Sequence, residues 1–361
     1  MLKYRKYISN LYKHIIYKIF FLIYGKINSI YQIENSEGIN YEKVNISDNE
    51  HKIYFCNKTR LYTDRVHDLA IIKNNSIING PSFQYRDNKN ANCDLNSVFS
   101  KGTPRIKKKI KGKIFSLLTG GGGNRNYWHW LFDVLPRMEI LEKFHENINI
   151  DFYLFPNLDE KFQIESLDVL NIPSNKRLSS KIYRHVSADQ IITTSHPYNI
   201  LNEPLLDSLN IPHWITDFLR KKFLIRNANS NKKLKKIFIN RKDGKTYRFI
   251  SNEKAVEDLL KKKGFKSITM SDYNFLDQIR IFNSAEYIVG LHGAGFANTV
   301  FCEPKTKILE LKANTAGDAI KNLAEKNQLT YNHLSFKNKT FDYDDQNGDI
   351  EVDINLLNKT L

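Results

Sequence analysis

The sequence predicts a two-domain α/β protein, each half a doubly wound sheet with helices on both faces. Three observations carry this. The chain has 361 residues, more than one hydrophobic core usually serves. After residue 235, short apolar runs alternate with helical patterns, as in a parallel sheet. Two glycine clusters, at 120–123 and 290–295, fall where apolar runs end, and that end of a doubly wound sheet takes ligands.

The elements follow in order. Residues 1–27, "MLKYRKYISNLYKHIIYKIFFLIYGKI", are basic and aromatic. The apolar stretch Ile19–Tyr24 is short of the ~20 residues a spanning helix needs, and no small-residue cleavage site follows it. Two readings stay open: an interfacial helix on an acidic membrane face, or a helix packed on the body of the protein. Residues 28–226 form the N-terminal domain. Its first part, 28–110, gives only short alternating segments, "KIYFCN" and "LAIIKNNSIING", read as strands with a hairpin around Asn74–Asn75. "RIKKKIKGK", 105–113, reads as a solvated loop or edge. Then "KIFSLLTG" gives a buried strand, Asn126 to about Phe144 a long helical segment, and "IDFYLFP" and "QIITTS" two further strands. "PLLDSLNIPHWITDFLRKKFLI" is helical in two pieces broken at Pro212. A polar, turn-prone linker covers 227–234. The C-terminal domain, 235–361, alternates strands "KIFINR", "KSITM", "YIVGL", "KILEL" and "TYNHLSF" with helices at 252–263, 274–284 and 316–327. A short helix follows the glycine turn.

Charge and cysteine usage narrow the partners. The formal net charge of +16 suits nucleic acid, acidic lipid or a phosphate-bearing substrate. A nucleic-acid binder would interleave aromatics with Lys and Arg on an exposed sheet. Here the aromatics cluster around one polar helical stripe, so no nucleic-acid partner is expected. The three cysteines, Cys56, Cys93 and Cys302, form no CxxC pair; that suggests a reducing compartment with at least one free thiol. No Cys/His spacing suits zinc.

Four stretches could carry chemistry. "VGLHGAGFAN", 289–298, follows a strand and opens a helix, whose first amides are unpaired and carry partial positive charge. Phosphate is the usual guest there. Gly293, Ala294 and Gly295 would let its oxygens reach the backbone, while His292 and Asn298 could donate. The alternative is a tight turn whose glycines serve packing alone. An esterase oxyanion loop also carries His-Gly, but the chain has no GxSxG elbow. In "NRNYWHWLFDVLPRMEIL", Asn126, His129, Asp133 and Arg137 form one polar stripe on a helix, walled by aromatic and aliphatic side chains. This is either a structural network, with Asp133 satisfied by His129 or Arg137, or a general base. Asp133 is the first candidate and His129 the second, with apolar neighbours expected to raise the Asp133 pKa. In "INRKDGKTYRFISNEKAV", Arg241 and Arg248 could grip a diphosphate; Lys242 and Lys245 read as a solvated loop. Glu310 in "KILEL" could accept from ribose hydroxyls or be a surface strand residue. "FDYDD", 341–345, reads as an acidic loop, and no metal is expected.

Together "NYWHWLFDVLPR", the Arg241–Arg248 pair with its following Asn-Glu, "HGAGFAN" and "ILEL" resemble glycosyltransferase family 61, the DUF563-type group, in a bacterial polysaccharide-type member. The likeness covers about 112–335. It implies a GT-B fold, two Rossmann-like domains facing a cleft. It also implies inverting, metal-independent transfer from a nucleotide sugar, UDP by family habit, to a glycan or lipid-linked saccharide, with no cofactor. The expected place is the cytoplasmic face of the cell membrane, in surface polysaccharide biosynthesis. On that pattern His292, Gly293, Ala294 and Gly295 face the diphosphate, Arg241 and Arg248 neutralise it, and Glu310 holds the ribose. Asn126, His129 and Asp133 lie on the acceptor side. The alternatives are a nucleic-acid binder and an inactive nucleotide-binding scaffold. The scaffold is disfavoured because Asp133, Glu310 and both arginines are present.

Overall fold

The computed structural model describes residues 2–33, 37–84, 93–144, 148–198, 210–224, 234–244, 248–339 and 348–361. The expected linker, apart from Leu234, lies outside them, as do Lys245 and the stretch 341–345. The chain divides into two compact units, Met1–Glu160 with Asn171–Asp207, and Lys161–Leu170 with Ser208–Leu361.

The first unit carries helix α1 (Leu2–Tyr24) and strands β1 (Ser29–Tyr31), β2 (Ile39–Ile46), β3 (Asn49–Asn57), β4 (Arg60–Thr63), β5 (Asp68–Lys73), β6 (Ser76–Ile78) and β7 (Phe83–Gln84). It continues with β8 (Lys108–Lys109), β9 (Lys113–Ser116), β10 (Phe152–Phe155), β11 (Arg177–Ser179), β12 (His185–Ser187) and β13 (Gln190–Thr194). Two sheets result. One runs β1-β6-β5-β4-β12-β8, with β7 on β5; the other runs β11-β10-β9-β13-β3-β2. The second is parallel from β11 to β13 and antiparallel beyond. In this sheet parallel pairing is therefore confined to those four strands, and the doubly wound expectation is corrected, because one face of this sheet packs on the first sheet and not on helices. The rest of this half pairs largely antiparallel, and of it the sequence reading of 28–110 resolved short strands and one hairpin.

Burial explains the pattern. β9 and β13 are buried on both faces beyond their first residue, while the edge strand β2 buries only Ile39, Val44 and Ile46. One core joins the sheets, with Leu61, Leu69 and Ile71 from the first meeting Ile114, Leu154 and Ile191 from the second. The hairpin β5–β6 turns on Asn74 and Asn75, both at positive φ (47° and 64°). That is the chemistry of a two-residue turn, since Asn tolerates the left-handed region. On the outer face of the second sheet lies a broken helix: α2 (Tyr127–His129), a π-helical turn Trp130–Val134, and α3 (Pro136–Lys143). Trp130 packs on Phe155 there.

In the second unit α4 (Lys161–Val169) and α5 (His213–Phe223) precede a five-stranded sheet. Its strands are β14 (Lys236–Ile239), β15 (Lys266–Ile268), β16 (Tyr287–Leu291), β17 (Lys307–Ala313) and β18 (Thr330–Phe336). Every pairing is parallel, in the order β15-β14-β16-β17-β18. Helices α6 (Glu253–Lys262), α7 (Phe275–Ser284) and α8 (Ala319–Lys326) make three of the crossovers, and the turn Ala294–Phe301 joins β16 to β17. The strand order reverses between β14 and β16. At such a switch point, crossovers leave in opposite directions and open a crevice at the carboxyl ends of the two strands.

Candidate functional site

Two groups of side chains stand out, one in each unit. The first sits at the switch point. Arg241 follows the end of β14, and His292 follows β16. His292 N–H donates to the Leu311 carbonyl (2.8 Å), prolonging the β16–β17 pairing. Arg241 Nη1 and Arg248 Nη1 both donate to the His292 carbonyl, at 3.1 and 2.9 Å. Two guanidiniums thus converge on one backbone oxygen, a concentration of positive charge that favours an anion. Burial draws Arg241 below the ordinary arginine value, with Asp243 opposing.

Gly293 makes this possible. A Cβ there would collide with Arg241 Nη1. Its φ of 166° is ordinary extended backbone, so the glycine is needed for close approach and not for conformation. The following turn, Ala294–Phe301, is a 3-10 helix. Ala294 and Gly295 open it, ahead of the Phe296 N–H to Gly293 carbonyl bond. Its poorer alignment gives a weaker N-terminal field than an α-helix, so the arginines carry more of the positive charge.

Three residues singled out from the sequence have protein partners here. Glu310 is fully buried. One carboxylate oxygen engages His292 Nδ1, and the other accepts from Tyr331 Oη (2.5 Å). It orients His292. Tyr331 is raised above the ordinary tyrosine value by burial and by the Glu310 charge. Asn298 is also fully buried, donating to Gln278 Oε1 and the Gly295 carbonyl, so it fastens the turn from behind. Lys242 is paired with Glu257 at 3.1 Å, an exposed contact of little energetic weight.

The second group lies on the broken helix. Asn126 is its N-cap, accepting from Trp128 N–H at 2.9 Å, which gives it a structural role. The Leu135 N–H reaches the Trp130 carbonyl, an i to i+5 bond of 3.1 Å. Pro136 has no N–H to give to Phe132, and its ring crowds that carbonyl; the widened turn relieves both. Gly122 lies against His129, where a Cβ would come within 3.2 Å of the ring.

His129 Nδ1 bonds Asp133 Oδ2 at 2.8 Å, and Tyr198 Oη donates to Asp133 Oδ1 at 2.5 Å. His196 Nε2 is 4.0 Å from the same carboxylate. Of the two partners expected for the Asp133 carboxylate, His129 bonds it; Arg137 bonds backbone. It donates to the backbone carbonyl of Asp133 (3.1 Å) and to the carbonyl and hydroxyl of Thr194, clamping the helix to the end of β13.

Burial pushes the Asp133 carboxyl up, but the His129 charge and hydrogen bond, with Tyr198, bring it below the ordinary value. The expected upward shift is thus reversed, because the apolar walls act together with a cation. For His129, burial pulls down and the Asp133 carboxylate outweighs it, holding the imidazole above its ordinary value. Burial draws His196 down to about 3 despite Asp133. With Nδ1 committed to a carboxylate, neutral His129 keeps its lone pair on Nε2. Its side chain is 36% exposed. Tyr198, His196 and Tyr331 were not singled out from the sequence. The one signal for the first two is their place just past "QIITTS", at a strand's carboxyl end.

One unit is parallel α/β with two arginines at its switch point, and the other carries a His–carboxylate pair. The family model described as Glycosyltransferase 61 matches residues 127–309, which takes in the broken helix, both arginines and the glycine turn. The chain belongs to this family and is a glycosyltransferase. No curated protein matches it. Among the described residues, no group of three or more His, Cys, Asp or Glu is placed to hold a metal.

Proposed function

We propose that the chain transfers a sugar, with inversion, from a nucleoside diphosphate sugar to a hydroxyl of a glycan or lipid-linked saccharide. The working donor is a UDP-sugar, and the setting is surface polysaccharide assembly at the inner membrane face. In this reading the second unit holds the donor and the first activates the acceptor. His129 Nε2 takes the acceptor proton as the hydroxyl oxygen bonds the anomeric carbon. The bond from that carbon to the diphosphate oxygen breaks on the opposite face, through an oxocarbenium-like state. Asp133 holds the imidazole and offsets the charge it gains. Arg241, Arg248 and the amides of Gly293–Gly295 take up the negative charge of the leaving diphosphate. Two guanidiniums supply there what a divalent cation supplies elsewhere, so no metal or other cofactor is invoked.

The observation that carries this reading is the convergence of Arg241 and Arg248 on the His292 carbonyl at the switch point. The test is a thermal-shift and hydrolysis panel of UDP-, GDP-, CMP- and dTDP-sugars. At least one donor should stabilise the protein and be slowly hydrolysed without acceptor. Stabilisation by none, or an equal shift after Arg241→Gln and Arg248→Gln, would remove the donor site from these residues.

A further inference from the structure

The first unit carries a surface that the transfer chemistry does not use. On α1, Leu11, Ile15, Ile19 and Leu22 recur at helical spacing and are all exposed, Leu22 at 88%. Tyr12 and Ile23 widen the stripe. The opposite face packs on the body: Phe21 would meet any Cβ at Gly102, and Tyr24 accepts from Lys107 N–H through its hydroxyl (2.9 Å). Lys107 Nζ also sits over the Tyr24 ring. The basic run 105–113 is therefore pinned beside α1, and within it Ile106 is 77% exposed.

Against α1 lies a cavity of about 300 Å³ whose lining includes Lys13, Lys101, Arg105, Arg184, Tyr17 and Asp64. Its charge is unbalanced. Asp64 Oδ1 already accepts from the amides of Val66, His67 and Asp68 (2.8–2.9 Å). Arg184 donates to the Thr63 and Asp64 backbone carbonyls, and the Asp64 carboxylate offsets part of its charge. Burial, with Arg105 and Arg65 nearby, holds Arg184 below the ordinary arginine value. Lys13, Lys101 and Arg105 form no ion pair with a described acid. A cationic cavity beside an apolar stripe with a lysine rim matches the layering of an anionic bilayer, phosphates outside and acyl chains within. A second copy of the chain would bring the same positive rim against itself and be repelled.

We propose that this face binds an anionic phospholipid bilayer, α1 lying in the interface on its apolar stripe and the adjacent cavity taking a lipid phosphate headgroup. This deepens the membrane setting proposed above and does not depend on the transfer chemistry. Among the described residues no helix is long and apolar enough to cross a membrane, so the contact is one of lying on the surface.

The test is co-sedimentation of the full chain with vesicles of phosphatidylcholine, alone or with phosphatidylglycerol. Binding should be at least about 10-fold tighter with phosphatidylglycerol present. Lys101→Gln with Arg105→Gln should weaken that binding about 10- to 30-fold, as expected for losing two cations near an anionic surface. Ile15→Ser with Leu22→Ser should weaken binding to both vesicle types. Equal binding to both lipids, or an unchanged Lys101/Arg105 double variant, would overturn the headgroup site. A concentration-dependent dimer abolished by Leu22→Ser would overturn the bilayer as occupant. Vesicle binding is read without turnover, so failure of this proposal and failure of the transfer reading are separately visible.

Discussion

Gly293 has no side chain, and a guanidinium occupies the place one would fill. Because its φ is extended, Gly293→Ala brings steric conflict with Arg241 and little backbone strain. The expected outcome is at least about a 10-fold loss of donor-nucleotide affinity, the effect of displacing one charge-assisted contact, with the melting temperature nearly unchanged. Titration calorimetry and a melting curve check it. The His129–Asp133 pair makes a second prediction. His129 must be neutral to accept a proton, and its pKa is raised. The acid limb of kcat/KM should therefore fall above the ordinary histidine value of about 6.5. His129→Ala should cost about 10²–10⁴-fold in kcat. Asp133→Asn removes the raising carboxylate, so the limb should move to lower pH as turnover falls. Stability follows the same signs. The His129 contribution is complete below the unfolded histidine value and is lost as pH rises through the raised folded one. The Asp133 contribution, with its lowered value, is present above the unfolded carboxylate value and is lost as pH falls through the folded one. A limb unmoved by Asp133→Asn would break the assigned partnership.

At the scale of elements, the π-helical turn is the unusual piece. Trp130–Val134 is widened because Pro136 cannot close the ordinary ladder, and this sets the relative rotation of His129 and the Arg137 clamp. Pro136→Ala restores an N–H and permits a regular helix. It should lower kcat by about 10-fold or more, as misplacement of a catalytic group does, without lowering thermal stability; parallel rate and melting measurements decide this. The elements were unevenly legible. "YIVGL" and "TYNHLSF" coincide with β16 and β18 because clean strand–helix alternation fixes both ends. The π-helical turn was not legible, since its apolar residues satisfy an α-helical period equally well. The sheet built from 28–110 was obscured for another reason. Its strands are short, several are buried on both faces, as in β5, and their partners, such as β12 for β4, lie more than a hundred residues away.

At the scale of the whole chain, the residues that gather in the two clusters were singled out from the sequence: both arginines, the glycine turn, His129 and Asp133. What the sequence did not yield was their wiring. Tyr198 meets Asp133 from 65 residues away, and no spacing rule reaches across that separation. Glu310 lies on β17 and was read as a ligand contact; only parallel pairing with β18 brings Tyr331 to its second oxygen. Net charge likewise named a class of partner without a place, and the fold localises part of it beside α1.

The three cysteines are all free and buried. Burial pushes the Cys56 and Cys93 thiols up to about 12, and raises Cys302 as well, so the folded chain offers almost no thiolate to an alkylating reagent. Cys56 and Cys93 belong to separate apolar clusters of the first unit, and Cys302 to the second. Each thiol becomes reactive only when its own surroundings open. A maleimide pulse resolved by mass therefore gives the two halves of the molecule independent, built-in gauges of local unfolding, with no label to engineer.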